Sequence, residues 1–204
     1  STARPVRYWQ IDPSARADLS FDEAACRLRD LFLESVRLHL RSDVPVGACL
    51  SGGIDSSAIV CAMRQLAPQA DIHAFSYCAD DPTLAEEKWV DLVASHARTT
   101  VHKVRLDPAN LVTDLDELIR TQQEPFGSTS IYAQHRVFRL AADAGIKVML
   151  DGQGADELLA GYRPYYAART ASLFRHGNIL SMLRFARCAA RQPRHLCAIY
   201  VGDA

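Results

Sequence analysis

Four short apolar runs, separated by stretches of helical periodicity, constrain this chain more than any other feature. The runs are "PVGACL", "DIHAFSYC", "TTVHKVRL" and "IKVMLDG". Between the first two lies "SSAIVCAMRQLA", a helix closed by Pro68. Between the next two lies "AEEKWVDLVASHA", with Trp89, Leu92, Val93 and His96 along one side. Two helical patterns precede the fourth run: "PANLVTDLDELIRTQQ", with proline at its entry, and "TSIYAQHRVFRLAADAG", with Gly145 in a C-cap role. Strands alternating with helices demand crossover connections, which are right-handed and give a parallel sheet. The expected fold class is therefore α/β: a doubly wound parallel sheet with helices on both faces.

Around that unit, "SFDEAACRLRDLFLESVRLHLRS" opens with Ser20 as N-cap and Glu23 three residues on, a capping box. Leu28, Leu31, Phe32, Val36 and Leu40 follow at helical spacing. Residues 1–20, with Pro5 and Pro13, read as a lead-in or interdomain linker, and 21–204 as the domain. After the fourth run, "ADELLAGY" begins a helix, and "NILSMLRFARCAARQ" is helical and basic. Trp89 reads as core, and His73 and His102 as structural histidines.

In a parallel sheet of this type, ligands sit at the carboxyl ends of the strands, at the switch point. Two loops fall there: "SGGIDSS" after the first strand and "DGQGADE" after the fourth. Gly52 and Gly53 let a ligand approach the main chain. Ser51, Ser56 and Ser57 supply hydroxyls, and the helix starting near Asp55 offers unpaired N–H groups. That is an anion cradle suited to phosphate, without the GK[ST] ending of a Walker A loop. Asp55 would repel bare phosphate, so its presence makes sense if a divalent cation lies between them. Asp156, in the second loop, can reach the same cation, with magnesium the hard, oxygen-seeking choice. A purely structural account also stands: Asp55 or Ser51 caps a helix, and the glycines make a turn.

The bulk numbers exclude some classes. With a net charge of −1 and 23% charged residues, nothing attracts nucleic acid or an anionic membrane in bulk. Arg184, Arg187, Arg191 and Arg194 read as a solvated helix face. No apolar run is long enough to span a bilayer, and the start shows no secretory pattern. The six cysteines form no CxxC pair and read as free thiols of a cytoplasmic protein.

"VPVGACLSGGIDSS" followed by "DGQGADELLAGY" resembles the synthetase domain of glutamine-dependent asparagine synthetases. The SGGxDS loop resembles the pyrophosphatase loop of several ligases, and the GxGADE…GY element narrows the likeness to this family. The intervening "EPFGSTS" and the stretch from "FSYC" to "VHKV" are similar in order and spacing. The resemblance implies an adenine nucleotide alpha hydrolase-like fold that converts ATP to AMP and pyrophosphate. It implies that Leu50 and Tyr77 meet adenine through their backbones. Ser51, Gly52, Gly53, Ser56 and Ser57 would cradle pyrophosphate, and Asp55 and Asp156 would hold magnesium. Asp151 and Gly152 would lie against the nucleotide, and Gln153 near the reacting carboxylate. The implied reaction amidates a carboxylate, nominally aspartate, through an acyl-adenylate. Ammonia would come from glutamine through a glutaminase domain in cis, and a homodimer is allowed.

The chain departs from the family pattern at Gln153, where a glutamate is usual; an amide donates and accepts hydrogen bonds but carries no charge. The family's downstream lysine and its amino-terminal glutaminase domain have no counterpart in these residues. The expectation is a domain incomplete at its carboxyl end, a piece of a longer enzyme. Alternatives are a relative that amidates a peptide or sugar carboxylate, a nucleotide-binding module without catalysis, and a tRNA-modifying pyrophosphatase-loop enzyme. The usual cysteines and basic surface of the last are absent.

Overall fold

Ser20 starts the first helix as its sequence predicts. In the computed structural model, which describes residues 4–12, 15, 17–79 and 86–190, helix α1 spans Phe21–His39. The Ser20 hydroxyl accepts from the Glu23 amide, and the Glu23 carboxylate accepts from the Ser20 amide at 2.8 Å. The described residues before Ser20 form no helix or strand.

The apolar runs become β1 (Val46–Cys49), β2 (His73–Cys78), β3 (Thr100–Arg105) and β4 (Val148–Leu150). All pairings are parallel, in the order β3-β2-β1-β4. Register places Ala48 opposite both Ala74 and Leu150. Helices α2 (Ile54–Leu66) and α3 (Glu87–Ala97) carry the chain outward from β1 to β3. Helices α4 (Pro108–Gln122) and α5 (Ser130–Asp143) return it past β1 to β4.

Each face of the sheet buries its own core. On one side Val36 of α1, Val60 and Met63 of α2 and Val90 of α3 pack over Ala48 and Ala74. On the other, Val137 and Ala141 of α5 pack over Phe75 with Ile146. The doubly wound α/β expectation therefore stands. Gly47 lies where the second core is tightest: a Cβ there would come within 3.0 Å of Ile146, Met149 and Phe75. Arg64 closes the first side by donating to the carbonyls of Ala97 at 2.6 Å and Arg98 at 2.8 Å. These are helix-end carbonyls, where a cation is favoured. Between α4 and α5, the nearly buried Asp114 accepts from the Tyr132 hydroxyl at 2.8 Å and from Arg136 at 2.6 Å.

Two expectations need correction. Trp89 is not core: it is 48% exposed, because α3 meets the core through Val90 and Val93 and leaves Trp89 at the edge. Leu92, on the same predicted side, is exposed too. Beyond β4 come α6 (Ala155–Leu159), α7 (Arg163–Arg175) and α8 (Ile179–Ala189). Helix α7 was not foreseen, since its apolar residues form no continuous stripe and it buries only Leu173. It packs on α8, with Tyr166 edge-on to Phe185. Arg191 and Arg194 lie outside the described residues.

Candidate active site

The strand order reverses between β1 and β4, so the loops leaving these two strands diverge and open a cleft at the carboxyl edge. The cleft has a volume of about 610 Å³, within the range of small-molecule sites. Leu50, Ser51, Gly53, Asp55, Ser56 and Tyr77 line one part of it. Asp151, Gly152, Gln153 and Asp156 line another. Gly52 and Ser57 were expected with them and do not line it. The Ser57 amide makes the first bond of α2, to the Gly53 carbonyl at 3.1 Å. A hollow of the same volume between α1 and α2 gathers no such set. Its charged side chains, Arg29 and Asp30, pair with each other at 3.0 Å.

The first loop is built to leave a helix end open. Gly53 is the N-cap of α2, and no side chain bonds to the first turn. That result removes the helix-cap account of Asp55 and Ser51. Ser51 instead accepts from the Gly53 amide at 3.2 Å, and its hydroxyl meets that of Ser56 at 3.0 Å. A Cβ on Gly53 would touch only the Ser51 hydroxyl, at 3.3 Å. Gly52 has φ +88°, and a Cβ there would fall 2.9 Å from the Glu86 carbonyl. Both the positive φ and the close approach of α3 call for a glycine there. The Leu50 amide is already bonded to the Phe75 carbonyl at 2.9 Å, so only its carbonyl could meet a ligand.

The second loop comes down on the first. A Cβ on Gly152 would lie 3.1 Å from the Ser56 amide nitrogen and 3.2 Å from the Asp55 Cβ. This contact brings Asp55 and Asp156 to one cleft. Gly154 takes φ +92° at the entry to α6, a conformation costly to any residue with a Cβ. Among the described residues no cluster of three or more metal-ligating side chains exists. Asp55 and Asp156 are carboxylates of this cleft that could hold a hard cation together with oxygens of a ligand.

Three further groups line the cleft: Cys49 and Tyr162, which the sequence reading did not single out, and Glu86, which it weighed as a substrate contact but read as part of a solvated first helical turn. Cys49 lies beside Asp151, one register step beyond the Ala48–Leu150 pair. Burial first, then the facing carboxylate, push its thiol up to about 12, so it stays protonated and unreactive. Glu86 lines the cleft, and burial raises its carboxyl above the ordinary range. Its neighbour Glu87 is held low by Lys103, with Arg105 adding to the effect, and is engaged by both at 2.9 and 2.7 Å. Tyr162 also lines the cleft, and its position in "AGY" was the available signal. His73 and His102 lie outside it and pair with each other at 2.9 Å, a structural arrangement as expected.

The asparagine synthase family model matches residues 27–197. The chain belongs to the asparagine synthase family. It is 30% identical over 181 residues to asparagine synthetase [glutamine-hydrolyzing] 3 of Bacillus subtilis, covering 82% of this chain and 29% of that protein. It is 27% identical over 176 residues to amidase chry2 of Gibberella zeae, covering 78% and 26%. The chain spans 22–30% of the length of the curated relatives it matches. An NH3-dependent NAD synthetase structure from Campylobacter jejuni aligns with a TM-score of 0.44 and 18% identity, over 71% of this chain and 61% of that one. No helix among the described residues is long and apolar enough to cross a membrane.

Proposed function

We propose that this chain carries the ATP-using part of an amide-forming ligase. The carboxylate substrate attacks the α-phosphorus of ATP, and the α–β bond breaks to give an acyl-adenylate and pyrophosphate. Ammonia then attacks the acyl carbon, and AMP leaves. The relatives that carry the name are glutamine-hydrolysing, and we extend glutamine as the ammonia source to this protein, through a glutaminase domain.

The observation that most supports this reading is the contact of the two glycine loops, which turns two separated acids toward one cleft beside an uncapped helix start. The free N–H groups of α2, with the Ser51 and Ser56 hydroxyls, would donate to phosphate oxygens. These donors would stabilise charge as it moves onto pyrophosphate, in a loop whose own hydrogen bonds fix its shape. The Leu50 carbonyl and the Tyr77 backbone would meet the adenine, while Asp151 and Gly152 lie against the nucleotide. Asp55 and Asp156 would hold magnesium, which when bound neutralises phosphate charge. Gln153 would orient the carboxylate as a neutral donor, without repelling it.

A second reading is that the amidated carboxylate is not aspartate. Gln153 in place of an acid changes the group expected beside the reacting carboxylate and leaves open which acid is activated. The fungal amidase among the relatives is compatible.

The test is pyrophosphate release by the full chain with ATP, glutamine or ammonia, and a panel of amino-acid, peptide and sugar carboxylates. One acid should give amide, AMP and pyrophosphate in equal amounts. Asp55→Asn should lower that rate by ~10²-fold or more with an unchanged circular dichroism spectrum. Product formed as ADP and phosphate would sink the adenylation route.

A further inference from the structure

Helix α6 is a single turn, and the chain folds back at its end so that Gly161 lies against Asp156. The Gly161 amide donates to the Asp156 carbonyl at 2.9 Å. A Cβ on Gly161 would overlap the Asp156 carboxylate oxygen and lie 2.8 Å from its carboxyl carbon. Gly161 is not among the residues with positive φ, so backbone conformation does not require a glycine here. The reason is space, and the space is filled by Asp156, an acid of the loop that lines the cleft. The next residue secures the turn: the Tyr162 hydroxyl donates to Glu157 Oε1 at 2.7 Å.

We propose that Gly161 is the positioning residue for the Asp156 carboxylate, and that the Tyr162–Glu157 hydrogen bond holds the turn that keeps it there. The inference rests on the reading of Asp156 as a cation ligand. An alanine at 161 meets the end of a short side chain and, at 3.2 Å, the Asp156 Cα. The strain is relieved when Asp156 turns its carboxylate away. The fold survives such a turn, but the ligand direction does not. Groups that orient a metal ligand typically change metal affinity by ~10–100-fold when removed.

The experiment measures Mn²⁺ binding by electron paramagnetic resonance, in the full chain saturated with a non-cleavable α,β-methylene ATP analogue. Asp156→Asn tests the underlying reading, Gly161→Ala the positioning, and Tyr162→Phe the brace, with melting temperature recorded for each. Gly161→Ala should weaken Mn²⁺ by about tenfold or more while metal-free analogue affinity stays unchanged. Tyr162→Phe should weaken it less, in the same direction. If Asp156→Asn loses Mn²⁺ and Gly161→Ala retains it, the positioning role is wrong and the cation reading stands. If Asp156→Asn itself retains Mn²⁺, the cation reading falls and the inference with it. Should Gly161→Ala fail to fold, unchanged Mn²⁺ affinity in Tyr162→Phe overturns the proposal.

Discussion

Replacing Gly152 with alanine probes the point where the two loops meet. The new methyl would sit 3.1 Å from the Ser56 amide nitrogen and 3.2 Å from the Asp55 Cβ, against ~3.5 Å or more for an unstrained carbon contact. The loops must therefore part by roughly 0.4 Å, the difference between that contact and the 3.1 Å available. Overpacking of this kind costs ~1–3 kcal/mol. For a chain of 204 residues, each kcal/mol lowers Tm by about 2–4 °C, so a fall of roughly 2–12 °C is expected. Binding should suffer separately. Ser56 is in the first turn of α2, whose N–H groups have no acceptor within the helix. A methyl crowding that amide removes one donor to a charged group, worth ~1.5–3 kcal/mol, or about 10–100-fold in ATP affinity. Calorimetric titration with ATP and magnesium reads the affinity, and differential scanning fluorimetry reads Tm. Gly127→Ala is the control, because a Cβ there has nothing within 4 Å and should change neither. Gly152→Ala with normal ATP affinity and normal Tm would refute both the loop contact and the cradle.

The remaining predictions address substrate, stability and backbone. Gln153→Ala should lower kcat/KM for the carboxylate with ATP affinity little changed, measured by pyrophosphate release at saturating ATP; a fall in ATP affinity and Tm alone would mean the side chain only braces the turn. Asp114→Ala strips two donors of their acceptor and should cost ~3 kcal/mol in urea unfolding at pH 7. The Tyr132 hydroxyl, and then Arg136, hold the Asp114 carboxyl below its ordinary range. Its contribution is therefore complete above the unfolded pKa of ~4 and is lost as pH falls through the lower folded value. The gap between wild type and Asp114→Ala should stay constant from pH 7 to 5 and narrow as pH falls below ~4, and a gap that widens on acidification would contradict it. Gln123 ends α4 at φ +58°, so Gln123→Gly should raise stability by about 0.5–1 kcal/mol, visible as a higher urea midpoint.

Much of this protein could be read from residue order. Ser20 and Glu23 predict the start of α1, because a capping box needs only four neighbouring residues. The strand–helix alternation predicts a parallel sheet, and the glycines and acids of "SGGIDSS" and "DGQGADE" predict a site at its carboxyl edge. Helix α7 was missed because its side chains form no periodic apolar face, and it is held mainly by α8. Trp89 was misread because periodicity records that a face is apolar, not whether anything covers it.

By itself, then, the sequence determines the local conformations and the chemistry on each loop, since capping, turn and periodicity signals act over a few residues. Only the tertiary structure decides the lateral order β3-β2-β1-β4, which depends on the direction each crossover takes. That order is what sets Gly152 on Ser56 and brings Asp55, Glu86 and Asp156 to one cleft. It also separates the glycines by purpose. Gly154 is there for its positive φ, Gly47 for the packing of Phe75, and Gly161 for the room its missing Cβ leaves to a carboxylate. Those three reasons look alike in sequence, because the atoms that distinguish them come from elsewhere in the fold.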